Sequence, residues 1–409
     1  MTAATPWISA ADAAGALQVS RATLYAYVSR GYIRSQAVRG RSREREYSRD
    51  DVDTLRQRTE EWRHPDQVAA RALQWGMPVL ESSITLIDGK TLYYRGHDAI
   101  ELAATRSVEE VASLIWTGRF DVPFASADDT GLRGAVDPSL PFAARAQAML
   151  ATASVQDRLA FDVRGENVAR RGWRILHLLA AAAIGDRSAR TPRRLRRRGV
   201  ATVDDDLACA WNVDAKGREL IRTALILCAD HELNVSSFTA RCVASAGSNP
   251  YAVVIAALSA LEGPKHGGAG ARVEAMLESL RATRDVPAAL AARLRRGERV
   301  DGFGHPLYGN GDPRAAMLLE RLREDYRRSA ELAFIGRVID AAGRVTRDKP
   351  NLDFSLAALT RVLDLPNEAP LMLFAVGRTI GWIGHALEQY ALDQLIRPRA
   401  RYVGVPPVS

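Results

Sequence analysis

Three histidines, His231, His266 and His305, sit at breaks between apolar helical runs, and an aspartate, Asp353, follows them in "KPNLDF". His266 lies against two glycines in "LEGPKHGGAG", His231 in "ADHELNVSSFTAR" and His305 in "DGFGHPLYGNGDPRA". A neutral imidazole on such a turn can be held in one tautomer by a backbone partner, and a carboxylate in reach can move a proton. The structural alternative is that the glycines end helices, with His266 and Asp353 serving as caps. Among the arginines, Arg314 lies in "GDPRA", Arg378 in "GRTIGW" and Arg397 in "IRPRAR". A planar guanidinium pairs bidentately with a carboxylate, which lysine cannot imitate. Arg314 and Arg378 read equally as surface or interhelical pairs. His177 and His385, on helical runs outside the breaks, read as core or polar-packing residues.

The elements that must position these residues are mostly helical. Apolar residues recur with helical period in "SVEEVASLIWTGRF", "PFAARAQAMLATAS", "NVARRGWRILHLLAAAAIG", "GRELIRTALILCADHELN", "NPYAVVIAALSALEG", "RVEAMLESLRAT", "DPRAAMLLERLREDY" and "APLMLFAVGRTIGWIGHALEQYAL". Ahead of them, "VLESSITLIDGKTLYYRGHDAIELA" predicts a small hairpin turned at "IDG". The 409 residues give room for two or three domains, and 47% hydrophobic with 25% charged residues is ordinary globular composition. No stretch reaches the roughly 20 apolar residues of a membrane span, and the start shows no signal peptide. Cys209, Cys228 and Cys242 lack metal or redox spacing and are expected as reduced, buried thiols in a cytoplasmic protein.

The net charge of +8 is carried almost wholly by arginine, concentrated between Arg21 and Arg49 and in "RSARTPRRLRRRG" at 187–199. The second run is expected as a solvated insertion loop, with nucleic-acid or CoA-phosphate contact as the other reading. The first belongs to a small front unit. Ser9 can cap a helix through "AADAAGAL", "QVS" turns the chain, and "RATLYAYVSRG" ends a second helix at Gly31. "QAVRGRSREREYS" can form a wing, and "SRDDVDTLRQR" opens another helix. The pattern resembles the winged helix-turn-helix of mercury-resistance-regulator and excisionase types. That resemblance implies Arg21, Thr23, Tyr25 and Tyr27 as groove-reading residues, with Arg39, Arg41, Arg43 and Arg45 on phosphates. Glu44 and Glu46 dilute the wing's field, so a protein-contact surface is the alternative.

The ordered breaks, together with "GRTIGWIGHALEQ" and "IRPRARYVG", resemble the citrate synthase family from about residue 75 to the C-terminus. The resemblance implies a mostly α, two-domain helical fold working as a dimer. Its domains would be a winged helix-turn-helix at 1–65, a large domain at 66–270 completed by 366–409, and a small domain at 271–365. It implies condensation of acetyl-CoA with oxaloacetate and hydrolysis of the citryl thioester to citrate and CoA. Asp353 matches the base, His266 the donor to the thioester carbonyl, and His305 the group that polarises the ketone. Arg314, Arg378, His231 and, from the partner subunit, Arg397 match the oxaloacetate contacts, and Asn234 orders the His231 loop. No metal or redox cofactor is implied, and CoA is a substrate.

The familiar forms are "HGGAN", "GFGHRVY" and "PNVDFYSG". Here Gly270 replaces the asparagine, Pro306 and Leu307 replace Arg-Val, and "DFSLAAL" replaces "DFYSG". Such changes can admit propanoyl-CoA, giving a 2-methylcitrate synthase. The competing expectation is a DNA-binding regulator whose synthase-like body senses metabolites. The intact Asp353 argues against it, because a sensor needs no base.

Overall fold

The computed structural model describes residues 7–38, 41–53, 55, 80–121, 136–185 and 202–407. The chain divides into two compact units, Met1–Glu81 and Ser82–Ser409. In the first, β1 (Trp7–Ser9) leads into α1 (Ala10–Leu17) and α2 (Arg21–Ser29), followed by β2 (Ser35–Val38) and β3 (Arg41–Ser48). Ser9 and Ser20 accept the Asp12 and Thr23 amides, so each helix begins where a side-chain oxygen satisfies an orphan N–H. The sheet is antiparallel in the order β1-β3-β2. Residues 49–53 are helical, and Arg34 grips Asp51 through both Nε and Nη2 at 2.8 Å. Ile8, Ala13, Leu17, Leu24, Ile33, Tyr47 and Val52 form the core of this unit.

The second unit opens with the expected hairpin, β4 (Thr85–Ile87) and β5 (Leu92–Tyr94), continued by β6 (His97–Asp98). Asp88 turns it by accepting the Lys90 and Thr91 amides. Helices follow: α3 (Ala99–Thr105), α4 (Val108–Thr117), α5 (Phe142–Gln156), α6 (Gly165–Ile184), α7 (Val203–Ala210), α8 (Ala215–Cys228), α9 (Val235–Ser245), α10 (Pro250–Leu261), α11 (Gly268–Arg281), α12 (Val286–Arg295), α13 (Pro313–Asp325), α14 (Ala330–Thr346), α15 (Leu352–Val362) and α16 (Ala369–Leu392). Helices α11 to α15 pack largely on one another, whereas α16 lies against α4, α6, α8, α9 and α10.

Several elements differ from the sequence reading. The run predicted helical over 217–234 stops at Cys228, and the chain turns through Glu232 at a positive φ of 55°. Tertiary bonds to Asp230 and His231 replace the helical ladder there. The acidic triplet Asp204–Asp206 forms the first turn of α7 behind a Thr202 cap, where carboxylates complement the helix dipole. Of the three cysteines, all free, Cys228 is buried while Cys209 and Cys242 are only half-buried. The arginine-rich run at 187–199 lies outside the described residues. Among the described residues no helix is long and apolar enough to cross a membrane.

The glycines of α16 set how closely it approaches α8 and the loop beyond. A Cβ on Gly377 would stand 2.5 Å from the Leu225 carbonyl oxygen, and one on Gly381 2.4 Å from both the Ala229 carbonyl oxygen and Asp230 Oδ1. The Gly381 amide itself donates to Ala229 O at 2.9 Å. Gly381→Ala is therefore expected to destabilise the protein by about 1–3 kcal/mol, the usual range for overpacking. A lowered urea midpoint with unchanged slope checks this; a wild-type midpoint would contradict the contact.

Candidate active site

The loop after α8 carries Asp230 and His231. Asp230, fully buried, accepts from Thr85 Oγ1 at 2.6 Å, from the Glu232 amide at 3.2 Å and from His385 Nε2 at 3.1 Å. These bonds pin the loop to β4 and α16. His231 lies 3.0 Å through Nε2 from Tyr308 Oη, and its ring centroid is 5.1 Å from that of His305. His385, read as a packing residue, thus helps hold the loop that presents His231.

His305 and Asp353 come from segments stitched together at the backbone. Gly304 N donates to Lys349 O, Asn351 N to Gly302 O, and Asn351 Nδ2 to Gly304 O, at 2.9, 2.9 and 3.1 Å. Asn351, not Asp353, caps α15 by accepting the Phe354 amide. Asp353 is left in the first turn with its carboxyl unused by the cap. The Leu307 amide donates to His305 Nδ1 at 3.2 Å, so the neutral ring carries its proton on Nε2.

Arg314, at the start of α13, is buried with one guanidinium edge forked onto Asp312, Nε to Oδ1 at 3.0 Å and Nη2 to Oδ2 at 2.8 Å. Asp312 Oδ2 also accepts the Leu352 amide at 3.1 Å, joining α13 to the start of α15. Arg378, from the middle of α16, is 1% exposed; Nε donates to Cys228 O at 2.7 Å and the Phe374 ring centroid lies 4.6 Å from its Cζ. Its Nη1 is buried and has no hydrogen-bond partner among the described residues. An unsatisfied buried guanidinium nitrogen is costly, which makes the position a receptor for an anion. His266 also meets Phe374, edge to face with ring centroids 5.9 Å apart, and its Nε2 is 2.9 Å from Ser236 Oγ. Ser236 Oγ also donates to Asn234 Oδ1 and accepts from Trp382 Nε1, while Asn234 caps α9.

The electrostatics separate acid from base. Burial pushes the Asp353 carboxyl up to about 6, with the Arg314 charge opposing and the Asp312 charge assisting. Burial holds His266 down to about 4, and burial with the Arg314 charge lowers His305. His231 is held well below the ordinary imidazole range, by burial and then by Arg314 and Arg378. The set therefore consists of three neutral imidazoles, a carboxyl poised near neutrality and two buried guanidinium groups. It can abstract a proton from a weak carbon acid, donate hydrogen bonds to developing oxyanions and bind carboxylates.

Of the sequence candidates, His231, His266, His305, Arg314, Asp353 and Arg378 converge. Arg397 is exposed on the segment that follows α16. In the first unit, Arg21 and Tyr25 are exposed on α2, Thr23 joins the Ser20 cap, and Tyr27 packs partly into the core with its ring edge-on to Tyr32. Arg41 and Arg43 lie on β3, and Arg39 lies outside the described residues. Asp230, Ser236, Tyr308 and Asp312 were not legible as site residues. Asp312 alone had a signal, an aspartate directly before a proline that starts a helix. Among the described residues no group of three histidine, cysteine or acidic side chains could hold a metal ion.

Residues 72–399 match the family described as citrate synthase, C-terminal domain. "Citrate synthase 2" of Bacillus subtilis is 40% identical over 46% of this chain, a match that spans about half (51%) of that protein. A 2-methylcitrate synthase of Shewanella oneidensis is 30% identical over 78% of this chain and 91% of its own length. The crystal structure of citrate synthase from Thermotoga maritima superposes with a TM-score of 0.69 and 27% identity, covering 82% of this chain and 96% of that one.

The charge balance around Asp353 gives a direct test. Because Arg314 lowers the Asp353 pKa and Asp312 raises it, Arg314→Met is expected to move the carboxyl titration from about 6 to higher pH. Carboxyl ¹³C chemical shifts followed against pH report the midpoint. An unchanged or lower midpoint in the variant contradicts the arrangement.

Proposed function

The chain belongs to the citrate synthase family, and we propose that it joins the methyl carbon of acetyl-CoA to the ketone of oxaloacetate and hydrolyses the citryl thioester to citrate and CoA. It is an acyltransferase, and acyl-CoA is its substrate; the chemistry uses no metal or redox group. The observation that carries this reading is the buried, unsatisfied Nη1 of Arg378 among three neutral imidazoles and a carboxyl raised to about 6.

Asp353, ionised at neutral pH yet basic for a carboxylate, takes the proton from the thioester α-carbon. His266 stabilises the enol oxygen. With its Nε2 bound to Ser236, its Nδ1 is the nitrogen left for the thioester carbonyl, and it carries the N–H once the Ser236 hydroxyl turns its proton from Asn234 Oδ1 to His266 Nε2. His305, protonated on Nε2, polarises the oxaloacetate ketone and gives its proton to the forming alkoxide. Arg378 and the free edge of Arg314 receive the oxaloacetate carboxylates, with His231 beside them. Arg397, exposed beyond α16, is assigned to the site of a partner subunit, which makes the working form a homodimer. The large domain is taken as 66–270 with 366–409 and the small domain as 271–365, a division supported by the packing of α11 to α15 on one another.

Two finer points are part of the proposal. The substitutions around the acyl site and the 2-methylcitrate synthase relative support propanoyl-CoA as an alternative acyl donor. The first 65 residues are assigned to a winged helix-turn-helix, supported by the order helix, turn, helix, hairpin and by Arg21 and Tyr25 on the open face of α2. Their function is DNA binding or subunit contact. Deleting residues 1–65 separates the two: lost DNA retention with unchanged assembly size supports the former, and a changed size supports the latter.

Release of free CoA thiol with oxaloacetate and either acetyl-CoA or propanoyl-CoA tests the main reading. Asp353→Asn is expected to lower kcat by about 10²–10⁴-fold, the range for a general base. For the wild type, kcat/KM rises with pH through about 6 as Asp353 loses its proton and levels off above. Full activity in Asp353→Asn, or an acid limb below pH 5, would overturn the assignment of the base.

A further inference from the structure

Tyr308 lies three residues beyond His305, is 2% exposed, and borders three groups of the site at once. Its Oη is 3.0 Å from His231 Nε2, its ring centroid 5.0 Å from that of His305, and the Arg314 Cζ 5.8 Å from the same ring. We propose that Tyr308 is a positioning residue whose hydroxyl donates to His231 Nε2 and so fixes His231 as the tautomer with its N–H on Nδ1. This deepens the reading of the site as an oxaloacetate site and rests on it.

A hydrogen bond between a phenol and a neutral imidazole can run either way. Burial pushes the Tyr308 phenol up to about 12, so the hydroxyl keeps its proton throughout the neutral range. The His231 ring is neutral there and owns one N–H. If that proton were on Nε2, it would point at Oη and leave a bare lone pair on Nδ1. Oxaloacetate presents only acceptor oxygens, and a lone pair facing them repels. With the phenol donating, Nδ1 carries the proton.

His305 is set in the opposite sense, because the Leu307 amide donates to its Nδ1. Two neighbouring residues, one through its backbone and one through its side chain, thereby fix two imidazoles whose planes meet at 79°. The Asp312 fork holds Arg314 beside the same phenol ring.

The test is Tyr308→Phe, which keeps the ring and removes only the hydroxyl. Two-bond ¹H–¹⁵N spectra of histidine-labelled protein without substrate are expected to show His231 as the Nδ1–H tautomer in the wild type and as a mixture in the variant. The KM for oxaloacetate is expected to rise about tenfold, the equivalent of one net hydrogen bond, with a smaller change in kcat. In a His231→Ala background the same substitution should add little, because the phenol acts through His231. An unchanged tautomer, or a full independent loss in the double variant, overturns the proposal. A wild type that releases no CoA thiol overturns the substrate reading instead, and the spectra still decide the role of Tyr308.

Discussion

The Asp312 carboxylate is the tie on which the geometry of the site depends. Oδ1 accepts the Arg314 amide and Nε, and Oδ2 accepts Arg314 Nη2 and the Leu352 amide. Four N–H groups from two helix starts converge on one buried carboxyl. Burial works against its charge, but Arg314 outweighs burial and keeps its pKa below the usual carboxylate range. Removing one partner of such a pair typically costs about 3–5 kcal/mol, because the survivor is left buried and uncompensated. Here it would also loosen the relation between the arginine and Asp353.

That tie explains how one small volume holds both a strong cation and a weak acid. Arg314 is neutralised locally by Asp312, so its attraction for the Asp353 carboxylate is largely cancelled and burial decides the outcome. Among the described residues Arg378 forms no ion pair with a carboxylate; its Nε donates to the Cys228 carbonyl and its Nη1 has no hydrogen-bond partner. The two arginines therefore differ: one is a fixed part of the frame, the other an open charge. Burial holds the imidazoles neutral, helped by Arg378 at His266, by Arg314 at His305 and by both at His231, and neutral is the state in which a ring can offer one N–H and one lone pair.

Much of this was legible in the sequence, and the omissions share a cause. Histidines at breaks stand out because the local pattern changes around them, whereas the arginines were legible only through the family resemblance. Helix α16 was legible from its long apolar period, and the hairpin from Asp88 and Gly89. Helix α12 buries only Val286 and Leu290, too few to give a periodic signal, and α9 buries a serine-rich face that reads as polar. Asp230, Ser236, Tyr308 and Asp312 act through partners far along the chain, such as His385 for Asp230 and Leu352 for Asp312. Such pairings leave no mark on spacing. The end of α8 was misread because the apolar run is continuous, and only the tertiary bonds of the following loop stop it.

The glycines of α16 have a consequence for how the chain reaches its native state. Each glycine in a helix interior costs up to about 1 kcal/mol of helix stability relative to alanine, and this helix carries Gly377, Gly381 and Gly384. Taken alone, α16 is a poor nucleus, and its order comes from the surfaces that receive it. Helix α8 and the Ala229–His231 loop supply those surfaces, and His385 on α16 in turn holds the loop through Asp230, so the three order together. Arg378 and His385 travel on that helix, so the burial of charge in the site is tied to the same docking. A partly folded chain can hold many helices and still lack the one desolvated environment on which its chemistry depends.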